Sequence, residues 1–169
     1  MFRAATVADW PAIVALNNAE VPKVGPLAID DAERFLRVAE ILVADAEPGN
    51  ERPGPVALLV LMTEGADYDS PNYEWFAARY PRFEYVDRIV VRDDRAGTGI
   101  GRALYDLAVA RTVEAGRPVL TAEVNLEPPN DSSLAFHRTY GFAEVGRHID
   151  PRNGQVEAMF ALAVADRLG

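Results

Sequence analysis

Arg95-Ala-Gly-Thr-Gly-Ile-Gly-Arg-Ala103 lies between a β-branched run, Tyr85-Val-Asp-Arg-Ile-Val-Val91, and a segment whose apolar residues Ile100, Ala103, Leu104, Leu107 and Ala108 keep helical spacing. Strand, glycine-rich turn and helix is the predicted order. Gly97, Gly99 and Gly101 stand at alternate positions, where they remove side chains and permit φ > 0. The main-chain N–H groups of such a turn join the first turn of the helix, where the helix dipole is positive, and together they form an anion site. Two or three charge-assisted hydrogen bonds of about 1.5–3 kcal/mol each would supply much of the roughly 8 kcal/mol of a micromolar ligand. A pyrophosphate suits this arrangement, and a tight turn with no ligand is the competing reading.

Other glycine motifs fail on the residues present. A nucleotide-triphosphate loop needs Gly-Lys-Ser/Thr, and here Gly101 is followed by Arg102-Ala103. A dinucleotide fingerprint needs a third glycine where Arg102 stands.

Working outward, Gly116 and Pro118 stop the helix, and Val119 to Leu126 reads as the next strand. A helix from Asp131 or Ser132 to Tyr140 follows, then strands over Phe142 to Ile149 and Gln155 to Ala163 joined by Asn153-Gly154. Upstream, Phe2 to Ala5 is a short strand, and Thr6 with Asp9 forms a capping box for a helix toward Asn18. A second helix is predicted near Ile29 to Val38. The runs Glu40 to Ala44 and Pro55 to Met62 flank a Pro/Gly-rich loop and predict an antiparallel pair. The aromatic segment from Thr63 to Phe83 reads as a loop with a short helix folded on the core, or as a pocket wall. The order predicts an α/β (α+β) fold in one domain over 1–169: a central mixed sheet of about six to seven strands with helices on both faces.

The chain has 169 residues with 17 basic and 26 acidic side chains, a net charge of −9. So acidic a body argues against nucleic acid or anionic membrane as partner. The charge is uneven: from Arg88 to Arg117 there are six arginines against four carboxylates, net +2, and the remainder carries −11. The positive stretch surrounds the glycine turn and suits a small polyanion. No cysteine is present, which excludes disulfides, thiolate metal sites and cysteine nucleophiles. His137 and His148 have no recognised metal spacing, so no metal is expected. Met1 to Asp9 lacks a signal-type apolar region, and no apolar run approaches the roughly 18 residues of a membrane span. A cytoplasmic location is expected.

The glycine turn and a later block, Asn130-Asp-Ser-Ser-Leu-Ala-Phe-His-Arg-Thr-Tyr-Gly-Phe142, resemble the GNAT (Gcn5-related) N-acetyltransferase family. Its motif A, Q/R-x-x-G-x-G/A, matches Ala96 to Gly101, and its later motif, N-x-x-A-x-x-F-Y-x-x-x-G-F, matches Asn130 to Phe142. The resemblance is specific from about Val86 to Phe142. It implies an acetyl-CoA-dependent enzyme that acylates an amine, with acetyl-CoA as cosubstrate. It also implies that the main chain of Ile89, Val90 and Val91 holds the pantetheine arm. Arg95, Ala96, Gly97, Thr98, Gly99, Ile100, Gly101 and Arg102 would then surround the pyrophosphate, with Asn130, Ser133 and Phe136 against the cofactor. A homodimer is common in this kind of fold. Two departures stand out. Ala96 occupies the usual Arg/Gln position, and His137 occupies that of the tyrosine that protonates the departing thiolate. His137 inherits that role as one candidate, and Tyr140, one helical turn on, is the other.

Aminolysis of a thioester needs a neutral amine, a polarised carbonyl and a proton for the thiolate. Along Val119 to Leu126, alternation puts Thr121, Glu123 and Asn125 on one face. A carboxylate there is partnered or functional. Glu123 is the candidate general base, acting directly or through a water held by Asn125; a salt bridge to an arginine such as Arg88 is the competing reading. His137 has an intrinsic pKa near 6.5 suited to donating a proton, or has no duty. Asp87 could bind an ammonium or serve in a salt bridge, and Tyr73 and Trp75, with Asp69 and Asn72, are the substrate-side candidates. His148 reads as structural. The expected reaction is direct attack by a primary amine in a ternary complex. A CoA-binding sensor or interaction module without transfer activity is the alternative, and an enzyme of another phosphorylated ligand is a third reading.

Overall fold

The computed structural model describes residues 2–164. Its strands are β1 (Phe2–Ala4), β2 (Glu40–Asp45), β3 (Pro55–Thr63), β4 (Glu84–Val91), β5 (Val119–Glu127), β6 (Ala143–Ile149) and β7 (Val156–Ala163). Its helices are α1 (Trp10–Asn18), α2 (Ala32–Val38), α3 (Pro71–Ala77), α4 (Ile100–Glu114) and α5 (Asp131–Tyr140). The strands form one seven-stranded mixed sheet in the order β1-β2-β3-β4-β5-β7-β6, flanked by helices. This is the α/β class expected. The described chain forms two compact units: one comprises residues 2–62 and Arg88–Leu107, and the other comprises Thr63–Asp87 and residues 108–164.

In the first unit β2 pairs antiparallel with β1 and β3. β3 is an almost unbroken apolar run whose residues from Val56 to Met62 are all buried, as a strand covered on both faces requires. Trp10, Ile13 and Phe35 complete this core, and the Trp10 indole N–H donates to the Ala28 carbonyl at 3.0 Å. The capping box opens a short 3-10 turn before α1: both the Thr6 N–H and its hydroxyl donate to Asp9 at 2.8 Å. Arg88 is buried and donates to Asn17 Oδ1 at 3.0 Å and to the Gly25 carbonyl at 2.9 Å.

In the second unit the first part of β4 pairs parallel with β5 over Glu84–Val86. β5 pairs antiparallel with β7, and β7 with β6. The aromatic segment supplies α3, whose Tyr73 and Phe76 pack with Phe83 and Tyr85. Gly141 closes α5 in the left-handed region at φ 112°, the glycine C-cap.

Gly146 has a different reason to be glycine. A Cβ there would stand 2.6 Å from Trp75 Cζ2 and 2.9 Å from Cη2, while the Arg79 guanidinium covers the Trp75 ring at 3.5 Å. Gly146→Ala must displace an indole held on another side, an overpacking cost of about 1–3 kcal/mol. At roughly 2–4 °C per kcal/mol for a chain of this size, a thermal melt should fall by several degrees.

Among the described residues no helix is long and apolar enough to cross a membrane, and no cluster of His, Cys, Asp and Glu could hold a metal ion.

Candidate active site

The first unit carries the glycine turn. After β4 a 3-10 turn, Asp93–Arg95, leads toward α4. Buried Arg92 pins it, donating through Nε and Nη2 to Asp94 at 2.6 and 2.9 Å and through Nη1 to the Arg52 carbonyl at 2.8 Å. The Thr98 N–H and hydroxyl both donate to the Arg95 carbonyl. Gly97 and Gly99 have φ of 74° and 87°, where an L-residue costs about 1–2 kcal/mol. A Cβ on either would meet nothing within 4 Å, so open space lies against the main chain. The Ala103 N–H bonds to the Gly99 carbonyl at 3.0 Å, and the preceding Ile100 and Gly101 N–H groups have no acceptor within the helix. Gly101 is helical, and a Cβ there would make ordinary contact, 3.8 Å, with a Val91 methyl. Two of the three glycines are therefore conformationally required. The turn fits an anionic group bound through main-chain donors. A cavity of about 210 Å³ borders it, lined by Arg95 and Ile100 together with Phe2, Asp45, Glu47 and Val56.

The second unit carries the titratable groups. The register Tyr85↔Thr121 puts Tyr85 and Asp87 on the β5 face that holds Thr121, Glu123 and Asn125. Tyr85 O–H donates to Glu123 Oε1 at 2.8 Å, and Asn72 Nδ2 donates to the same oxygen at 3.3 Å. Glu123 Oε2 is shielded from solvent and has no partner. Burial first, then the Asp87 charge, raises the Glu123 carboxyl well above the usual carboxylate range, although the Tyr85 hydrogen bond pulls the other way. Such a carboxylate readily takes a proton. Tyr68 O–H donates to Asp87 at 2.7 Å. β7 brings Glu157 opposite Asn125, and β6 brings His148 opposite Glu157. Burial and the neighbouring Asp150 push Glu157 up to about 7.

Residues 70–142 match the family model described as "Acetyltransferase (GNAT) family". No curated protein matches the sequence. Solved structures similar to it include a ribosomal-protein-alanine N-acetyltransferase from Brucella melitensis, 22% identical at TM-score 0.69, covering 96% of this chain and 99% of that one. Another is yncA, a putative acetyltransferase from Salmonella typhimurium with its cofactor acetyl-CoA, 19% identical at TM-score 0.69, covering 98% and 94%. A third is a putative phosphinothricin N-acetyltransferase, 23% identical at TM-score 0.72, covering 98% and 99%. These likenesses establish a shared fold over nearly the whole chain.

Within this fold the sequence-derived candidates separate. Glu123 and Asn72 meet, and Asp87 and Asn125 share their face. The arginine reading for Glu123 is replaced: its oxygen is held by a phenol and an amide. Tyr73 is buried, its hydroxyl donating to the Thr63 carbonyl at 2.6 Å and accepting from the Ala66 N–H at 2.9 Å, so it holds the loop rather than facing an acceptor. Trp75 is packed against Gly146 and under Arg79, which turns it from a substrate contact into a packing residue. Asn130 caps α5, accepting from the Ser133 N–H at 3.4 Å. His137 is 2% exposed, stacked on Phe160 and edge-on to Phe142. Its Nδ1 lies 2.7 Å from the Ser133 carbonyl, and burial lowers its pKa. It is a core imidazole whose burial favours the neutral form. Phe136 stacks on Tyr140 at 5.6 Å. Tyr85, Tyr68 and Glu157 were not singled out from the sequence. Glu157 carried a signal, a lone carboxylate in the apolar run Val156–Ala163.

Proposed function

We propose that this chain is an acetyl-CoA-dependent N-acetyltransferase, one catalytic domain over 1–169, that acylates a primary amine by direct attack in a ternary complex. The observation that carries the reading is the shielded Glu123 carboxylate, held on one oxygen by Tyr85 and Asn72, in a chain whose residues 70–142 match the GNAT acetyltransferase model. Acetyl-CoA supplies an activated acyl group. The Gly97–Arg102 turn offers main-chain donors to its pyrophosphate, and Ile89–Val91, beyond the stretch paired with β5, offer strand-like main chain to the pantetheine. Arg95, Asn130, Ser133 and Phe136 complete the CoA contacts by family resemblance. Glu123 first takes a proton from the acceptor ammonium, directly or through a water held by Asn125, and so frees the neutral amine to attack. As the C–N bond forms and the C–S bond breaks, Tyr140 gives a proton to the departing thiolate and regains one from the nitrogen of the new amide. His137 is left out of the chemistry because its imidazole is closed in the core. The acidic body fits a cytoplasmic enzyme that works without nucleic acid or membrane.

Release of CoA thiol from acetyl-CoA across an amine panel tests this reading. Tyr140→Phe is expected to lower kcat by about a hundredfold, the scale of general acid catalysis, and His137→Phe to change it by less than about threefold. One observation favours a CoA-binding module without transfer: the position of the family's proton-donating tyrosine holds a core histidine. That rival is chosen if CoA binds and no amine elicits thiol.

A further inference from the structure

Folded proteins rarely leave buried polar atoms without partners, and each such atom asks for a ligand or another reason. Among the described residues five buried side-chain atoms have none: Asn72 Oδ1, Arg111 Nε, Glu123 Oε2, His148 Nε2 and Glu157 Oε2. Four of the five form one row in the second unit. Asn72 bonds Glu123, Glu157 bears on the charge of Glu123, and His148 is the cross-strand partner of Glu157. Asn72 and Glu157 are 5% and 3% exposed, so water does not supply the missing bonds freely. Three of the four orphaned atoms are oxygens and therefore acceptors, the complement of an ammonium with its three N–H donors.

The charges around the row are mostly of one sign. Asp87, Glu123, Glu157 and Asp150 are carboxyl groups, and the cation that bears on Glu157, Arg152, donates to Asp150 through Nε at 3.0 Å and Nη2 at 2.7 Å. A carboxylate carried on the substrate beside its amino group would meet four carboxyl groups and one arginine already bonded to Asp150, and like-charge juxtaposition is costly. We propose that Asn72, Glu123 and Glu157 seat the acceptor ammonium, and that the acceptor class is cationic amines lacking an α-carboxylate. Glu157 is the residue that sets this choice. This inference rests on the acetyltransferase reading and names the substrate class for the same site.

Matched pairs test it: cadaverine against lysine, agmatine against arginine and tyramine against tyrosine, with acetyl-CoA as donor. The decarboxylated member of at least one pair should exceed its amino acid tenfold or more in kcat/KM, and Glu157→Gln should erase most of that preference through KM. Glu157→Asp, which keeps the charge, should retain it. Amino acids used as well as their amines, or Glu157→Gln with KM unchanged, overturns the proposal. If no thiol is released, the acetyltransferase reading fails by itself, and calorimetry then decides the amine site. Binding of the decarboxylated amines but not the amino acids, weakened at least tenfold by Glu157→Gln, sustains it, and binding of neither overturns it.

Discussion

Gly99→Glu is expected to weaken coenzyme A binding by at least about a hundredfold, or roughly 3 kcal/mol at 1.4 kcal/mol per decade. Two effects act together. Gly99 sits at φ 87°, where any L side chain costs about 1–2 kcal/mol, and its main chain faces open space. A carboxylate placed there faces the position assigned to the pyrophosphate, and close like charges cost several kcal/mol. The strain alone predicts a thermal shift of only a few degrees, so calorimetric titration with CoA on a folded variant separates lost binding from lost fold. Gly101→Ala is the contrast, since a helical φ and a 3.8 Å contact with Val91 accommodate a methyl and keep the N–H. Its effect on affinity should stay below about threefold. Undiminished affinity in folded Gly99→Glu would remove the turn from the binding site.

The two substitutions also mark where local reading stops. The turn, α4 and the alternation of β5 were legible because each is set by near neighbours: positive-φ glycines, apolar spacing and the two-residue period of a strand. The face of Thr121, Glu123 and Asn125 was therefore readable before any partner was known. Its partners were not, because Tyr85 and Asn72 reach Glu123 across 38 and 51 residues, and sheet order decides which groups meet. Tyr73 and Trp75 show the converse error. Aromatics on a long connection suit a helix folded on the core or a pocket wall, and a phenol with both hydrogen-bonding roles filled and an indole wedged on Gly146 belong to the first. His137 offered a local clue, standing three residues from both Leu134 and Tyr140 on the stripe that α5 buries. Intrinsic pKa pointed toward chemistry there, and the helical period pointed toward the core.

Glu123→Gln is expected to lower kcat at pH 7 by about a hundredfold or more, the lower range for loss of a general base, with CoA affinity unchanged. The pH dependence gives the assignment a second handle. Burial, Asp87 and Glu157 raise the Glu123 carboxyl well above 4.5, so its basic form grows as pH rises through that folded value, and kcat/KM should rise with it. Stability moves in the opposite direction. A carboxyl whose pKa is raised on folding favours the native state below its unfolded value, and that advantage is lost as pH climbs through the folded value, where the buried group must charge. The variant cannot charge, so its melting temperature should gain on the wild type as pH is raised from 5 toward 9. A merely structural carboxyl would give the stability crossover without the rate loss, and a solvated base would give the rate loss without the crossover. Only a shielded base that must be charged to work predicts both, and undiminished turnover in Glu123→Gln at pH 7 would take Glu123 out of the mechanism.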